Sequence, residues 1–178
     1  MLITLTVRSL RSIAFWIVAS FMAMTSAVAQ QPPFQHEQVL DGLAVPTSAT
    51  FLPNGRILIT SLYGTVWITS PVNQPPVTYS VYLELPNLNN SAEHGLMEVL
   101  LDPDFASNNF IYLYYSTTAN KNRVSRFLHQ GTTASLASET VIFETPDPFS
   151  SCCHVGGAMA FANDGHILLA IGDDFTPA

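Results

Sequence analysis

Charge is in short supply in this 178-residue sequence, positive charge above all: Lys and Arg number 6 and Asp and Glu 13, together 11% of the chain. Nucleic acid and anionic membrane surfaces are gripped by clustered Lys and Arg. With no basic stripe along it, the chain is expected to bind neither. Cysteine is scarcer still. The two present, Cys152 and Cys153, are adjacent, whereas a disulfide framework spreads its cysteines out, and haem attachment needs two residues between them. Nor do Cys152, Cys153 and His154 make a zinc site, because neighbours on an extended chain point to opposite sides. No metal ligand is assigned. Convincing amphipathic helices are missing, and no apolar run reaches the roughly 20 residues needed to span a bilayer.

What the chain has in quantity is apolar residues, 48%, too many for a disordered chain. Many of them lie near the N-terminus. Arg8 and Arg11 precede the runs Ile13–Ala19 and Phe21–Met24, and Ala27-Val28-Ala29 supplies small residues for a cleavage site. A basic start, a short apolar run and an A-x-A end form a secretory signal peptide. The alternative, a membrane anchor, needs a longer run. Residues 1–29 are read as the signal peptide, 30–33 as a linker and 34–178 as the folded part. Cleavage removes Arg8 and Arg11, leaving four basic residues (Arg56, Lys121, Arg123, Arg126) against thirteen acidic ones, a net charge of −9. An exported, acidic protein of the periplasm or cell exterior is expected, with no membrane insertion after cleavage.

Beyond the linker, short β-branched and aromatic runs alternate with Pro, Asn, Asp and Gly, the pattern of strands and tight turns. Ala49–Thr60 reads as strand, Asn54-Gly55 turn and strand; Met159–Ala170 repeats it around Asp164-Gly165, at an offset of 110. Val99–Tyr115 is a third copy with a longer loop, its Leu101 lying 50 residues after Phe51 and 60 before Phe161. Gly64–Ile68 continues the first hairpin as a third strand. All-β repeats of about this length indicate a β-propeller. A β-sandwich is the alternative, but it does not call for a repeated strand–turn–strand unit. Propellers close with about four to eight blades, and residues 34–178 hold two and a half to three. The sequence is therefore expected to be part of a longer propeller, inactive and prone to aggregate if made alone.

Candidate chemistry is densest from Ser150 to Asp174. His154 precedes a strand beside Gly156 and Gly157, which let another backbone or a flat ligand approach closely. Asp173 follows the second strand of the same hairpin, and in an antiparallel hairpin those two ends lie side by side. A carboxylate beside an imidazole fixes its tautomer and favours its protonated form, which suits it to accept a proton. The bland alternative is a histidine satisfied at a blade edge. Cys152 and Cys153 stand open between a vicinal disulfide and two reduced thiols.

Seven short motifs then carry a resemblance: Pro46-Thr47-Ser48, Leu52–Arg56, Glu93–Met97, Leu101–Phe105, Asn122–Phe127, His154–Gly157 and Gly172-Asp173. In this order they resemble the N-terminal half of the PQQ-dependent sugar dehydrogenases, the glucose/sorbosone dehydrogenase family of six-bladed propellers. The Cys-Cys-His-x-Gly-Gly form is similar to a subgroup found in large multidomain bacterial proteins. The resemblance implies a sugar or polyol substrate, PQQ and calcium as cofactors, and an electron acceptor of unknown identity. It implies that His154 is the general base on the sugar hydroxyl and that Asp173 orients it. Glu93 matches a position near the cofactor, which Gly156 and Gly157 also approach, and the calcium ligands are expected beyond residue 178. Asp102–Phe105 is read as a turn, Arg123 and Arg126 as blade-surface or interblade contacts, and Tyr112, Tyr114 and Tyr115 as packing residues. The rival to an enzyme is a non-catalytic exported propeller that binds carbohydrate or protein.

Overall fold

The computed structural model describes residues 37–149 and 152–173; the segments read as signal peptide and linker lie outside the described residues. Among the described residues, ten strands form three antiparallel sheets in sequence order. The first contains β1 (Pro46–Phe51), β2 (Ile57–Ser61), β3 (Thr65–Thr69) and β4 (Tyr79–Glu84). The second contains β5 (Leu96–Leu101), β6 (Phe110–Ser116), β7 (Asn122–His129) and β8 (Ala134–Glu144), with one helical turn, α1 (Phe105–Asn108), between its first two strands. A hairpin of β9 (Gly156–Phe161) and β10 (Ile167–Ile171) is the third. β1 packs on β5 and β5 on β9, so the first strands of successive sheets adjoin, as blades do around a propeller axis. The fold is an all-β propeller, here two four-stranded blades and a further hairpin.

The repeat read from the sequence is visible atom by atom. Leu52 N–H donates to Arg56 O at 2.8 Å and Gly55 N–H to Leu52 O at 3.0 Å. The equivalent bonds 110 residues later, Ala162 to His166 and Gly165 to Ala162, measure 2.8 and 3.0 Å. In the second blade Asp102 N–H donates to Phe110 O at 3.1 Å, closing a loop into which α1 has been inserted. In both turns the glycine, Gly55 or Gly165, has positive φ, whereas Asn54 and Asp164 do not. Each loop is a type I turn followed by a left-handed glycine, which also suits the strand twist.

Period-2 alternation builds the core. On β6, Ile111, Leu113 and Tyr115 pack with Leu58, Val66, Ile68 and Leu83 of the first blade. The intervening Tyr112 and Tyr114 join Val124 and Met159 on the side of the third sheet. All three tyrosines are packing residues as expected, and none is more than 8% exposed. Arg123 and Arg126 act within one sheet. Arg123 Nε donates to Glu144 of β8 at 2.7 Å, and the Arg126 guanidinium lies 4.0 Å over the Phe110 ring. Neither carries an interblade ion pair among the described residues. Asp102 shapes its loop as expected, accepting from Asp104 N–H, Asn108 Nδ2 and the Tyr112 hydroxyl.

Between the outer parts of the two blades, Tyr82 Oη and His129 Nδ1 lie 2.8 Å apart. Burial, aided by the charge of Arg56, holds His129 below its ordinary value of 6.5. The unfolded chain therefore takes up this proton first. Stability contributed by neutral His129 is complete above about pH 6.5 and is lost as the pH falls through the folded value. Thermal unfolding is expected to show Tm declining from pH 7 toward 5, and His129→Asn should flatten that part of the profile. An undiminished slope in the variant would place the titrating group elsewhere.

Candidate active site

β9 and β10 are antiparallel with Gly156 opposite Ile171, so the entry to one strand lies beside the exit of the other. His154, two residues before β9, and Asp173, two residues after β10, consequently meet: Nδ1 and Oδ1 are 2.8 Å apart. Their side chains are 47% and 53% exposed. The imidazole is thus oriented at one nitrogen while its ring stays open to solvent. In the neutral tautomer that donates Nδ1–H to the carboxylate, Nε2 is the unprotonated nitrogen.

The backbone at His154 is left-handed, with φ 61°, a conformation costing about 1–2 kcal/mol for a residue with a Cβ. Such a conformer persists where its surroundings over-determine it, and here they do so from several sides. Glu93 Oε2 accepts the His154 N–H at 2.7 Å. In return Glu93 N–H donates to Cys152 O at 3.4 Å. On the far side of His154, the Tyr114 hydroxyl donates to Val155 O at 2.9 Å. Burial raises the Tyr114 hydroxyl far above its ordinary value, so it remains a proton donor at neutral pH. Gly172 passes so close that a Cβ there would sit 1.5 Å from His154 O.

Cys152 and Cys153, left open by the sequence, are joined to each other with an S–S length of 2.05 Å. This ring of two residues immediately precedes His154. The two glycines of the motif have different surroundings. Gly156 is exposed, while Gly157 is buried, and a Cβ on Gly157 would lie 2.8 Å from Met97 and 2.9 Å from the Tyr114 ring. The close approach that Gly157 permits is therefore an approach by protein side chains.

Beneath the same end of the sheets His94 is buried and stacks on Phe149, ring centroids 3.8 Å apart. A cavity of about 180 Å³ opens beside His154 and is lined also by Asn122, Thr145, Asp147, Phe149 and Ile171. Three of the four basic side chains among the described residues are engaged in the second blade, where Arg123 bonds Glu144, Lys121 lies 3.6 Å from the same carboxylate and Arg126 covers Phe110; the fourth, Arg56, lies by His129. Among the described residues no group of three or more His, Cys, Asp or Glu is placed to hold a metal ion. Tyr114, expected as a packing residue, also donates to Val155 O, which lies 41 residues further along the chain just before β9, and no local pattern announces this bond.

Comparison with known proteins bears on family and fold. Residues 43–178 match the model of the family described as Glucose / Sorbosone dehydrogenase. An uncharacterized protein of Synechocystis is 34% identical over 157 residues, covering 84% of this chain and 38% of that one. Aldose sugar dehydrogenase YliI of Escherichia coli is 25% identical over 169 residues, covering 90% and 44%. The PQQ-bound aldose sugar dehydrogenase of Streptomyces coelicolor superimposes with a TM-score of 0.68 at 26% identity, covering 78% of this chain and 41% of its own. The chain thus spans about two fifths of the length of these relatives. With a family match across three quarters of its length and the same fold as a PQQ-bound relative, this chain belongs to the glucose/sorbosone dehydrogenase family.

Proposed function

We propose that this chain supplies the proton-accepting half of a PQQ-dependent dehydrogenase acting on a sugar or other polyol. The observation that carries this reading is the 2.8 Å pairing of His154 with Asp173 on an exposed end of the third sheet. In the proposed reaction a substrate hydroxyl gives its proton to His154 Nε2, its carbon gives up a hydride, and the carbinol becomes a carbonyl. Asp173 stabilises the imidazolium that forms. A bound quinone supplies the two-electron sink for the hydride. The half-exposed ring and the polar, aromatic cavity beside it suit a hydroxyl-rich substrate.

The described residues fit that cofactor in part. A quinone bearing three carboxylates needs Arg or Lys partners, but Lys121, Arg123 and Arg126 are engaged within the second blade. The cationic clamp and the calcium ligands belong, on this reading, to sequence beyond residue 178, and the chain alone is inactive. Exposed Gly156 is close enough to His154 to border a cofactor placed against it, while Glu93 grips the His154 main chain. Signal peptide, linker and propeller segment (1–29, 30–33 and 34–178) are proposed as the domain plan, with export to the periplasm or beyond. The electron acceptor is a separate partner.

The test uses the product of the full reading frame, loaded with PQQ and calcium. Aldoses are expected to drive dye reduction in the loaded protein and not in the apoprotein. Calcium-supported PQQ binding without sugar turnover, or no PQQ binding at all, would favour the non-catalytic carbohydrate- or protein-binding propeller.

A further inference from the structure

We infer that Glu93 is a positioning residue for His154, acting through its main chain rather than as a contact of the cofactor. The inference rests on the proposed role of His154 as base.

Three observations converge on it. Glu93 Oε2 lies 2.7 Å from the His154 amide nitrogen, the distance of a charge-assisted hydrogen bond. The Glu93 amide in turn reaches Cys152 O at 3.4 Å, so one residue from the loop before β5 spans both ends of the Cys152–Cys153–His154 turn. That turn holds His154 at φ 61°, a conformation it must be constrained to keep. The direction of the Cα–Cβ bond follows from φ and ψ. Holding the backbone there aims the imidazole at Asp173, whose Oδ1 then lies 2.8 Å from Nδ1. Tyr114 and Gly172 constrain the carbonyl side of the same turn, through Val155 O and His154 O respectively. Glu93 serves the amide side.

Such a strap has a recognisable kinetic consequence. Loosening it spreads His154 over several orientations, few of which place Nε2 on the substrate proton. The bound fraction of substrate is little altered, while the chemical step slows. A residue that touched the quinone would instead weaken cofactor binding when removed.

The acceptor is an oxygen, so an amide can replace the carboxylate. In the PQQ- and calcium-loaded product of the full reading frame, Glu93→Ala is expected to lower kcat at least tenfold, with KM for aldose changed less than about threefold. Its affinity for PQQ should match the wild type. Glu93→Gln should retain at least half the wild-type kcat, and His154→Ala, run beside them, should be inactive. Should Glu93→Ala fail to fold, Glu93→Asp, one methylene short of the His154 amide, is expected to show the same loss of kcat. The inference is overturned if kcat of the Glu93→Ala protein stays within twofold of wild type while His154→Ala is dead. It is also overturned if PQQ affinity falls with kcat at saturation unchanged, or if Glu93→Gln is as slow as Glu93→Ala. Full turnover in His154→Ala would instead remove the proposed base, and with it the reading on which the inference stands.

Discussion

Replacing His154 by Ala in the loaded, full-length protein is expected to lower sugar-dependent dye reduction by about 10²–10⁴-fold, the range that a positioned general base contributes. The fold should survive. His154 is half exposed, and the Asp173 carboxylate bonded to its Nδ1 is about equally exposed. Alanine at this position still has a Cβ, so the left-handed backbone costs it what it costs histidine. Removing the ring therefore removes a proton acceptor and little packing. The check is steady-state turnover alongside Tm. A large loss of turnover with Tm within a few degrees is the expected pairing, whereas matched losses in both would make His154 a structural residue.

The second large effect is on stability. Gly157→Ala is expected to destabilise the protein by about 2–5 kcal/mol, combining backbone strain with overpacking. Its φ is 123°, a conformation that residues with a Cβ rarely adopt. The added methyl would also press on Met97 and on the Tyr114 ring, and Tyr114 is the residue that anchors Val155. Gly165→Ala provides the contrast. Gly165 also has positive φ, 87°, but a Cβ there meets nothing within 4 Å, so about 1–2 kcal/mol of strain alone is expected. Denaturant unfolding of the two variants separates the effects. Equal losses would mean that the space beneath Gly157 yields more easily than this packing implies.

The parts of the fold that were legible in the sequence are those written locally. Pro53-Asn54-Gly55 and Ala162–Gly165 announce their turns through glycine, and the alternation on β6 divides its residues between two cores. The meeting of His154 and Asp173 followed from hairpin geometry, because both flank one antiparallel pair. What stayed hidden is non-local. Glu93 precedes His154 by 61 residues and meets it only because the loop before β5 and the loop before β9 come together at one end of adjoining blades. The resemblance implies a position near the cofactor for Glu93; what no motif announces is that its carboxylate accepts the His154 amide. Bonding between Cys152 and Cys153 was equally invisible, since adjacent thiols read the same whether joined or not. Of the basic side chains among the described residues, Lys121 and Arg123 are at Glu144, Arg126 is over Phe110 and Arg56 is by His129.

The central claim is that His154, oriented by Asp173, takes the substrate proton. Its most direct test is a single turnover: aldose mixed with PQQ-loaded protein in the absence of dye, with cofactor reduction followed in the stopped flow. Wild type is expected to reduce its bound cofactor rapidly, and His154→Ala, carrying the same amount of PQQ, at least 100-fold more slowly. Equal rates in the two proteins would contradict the claim.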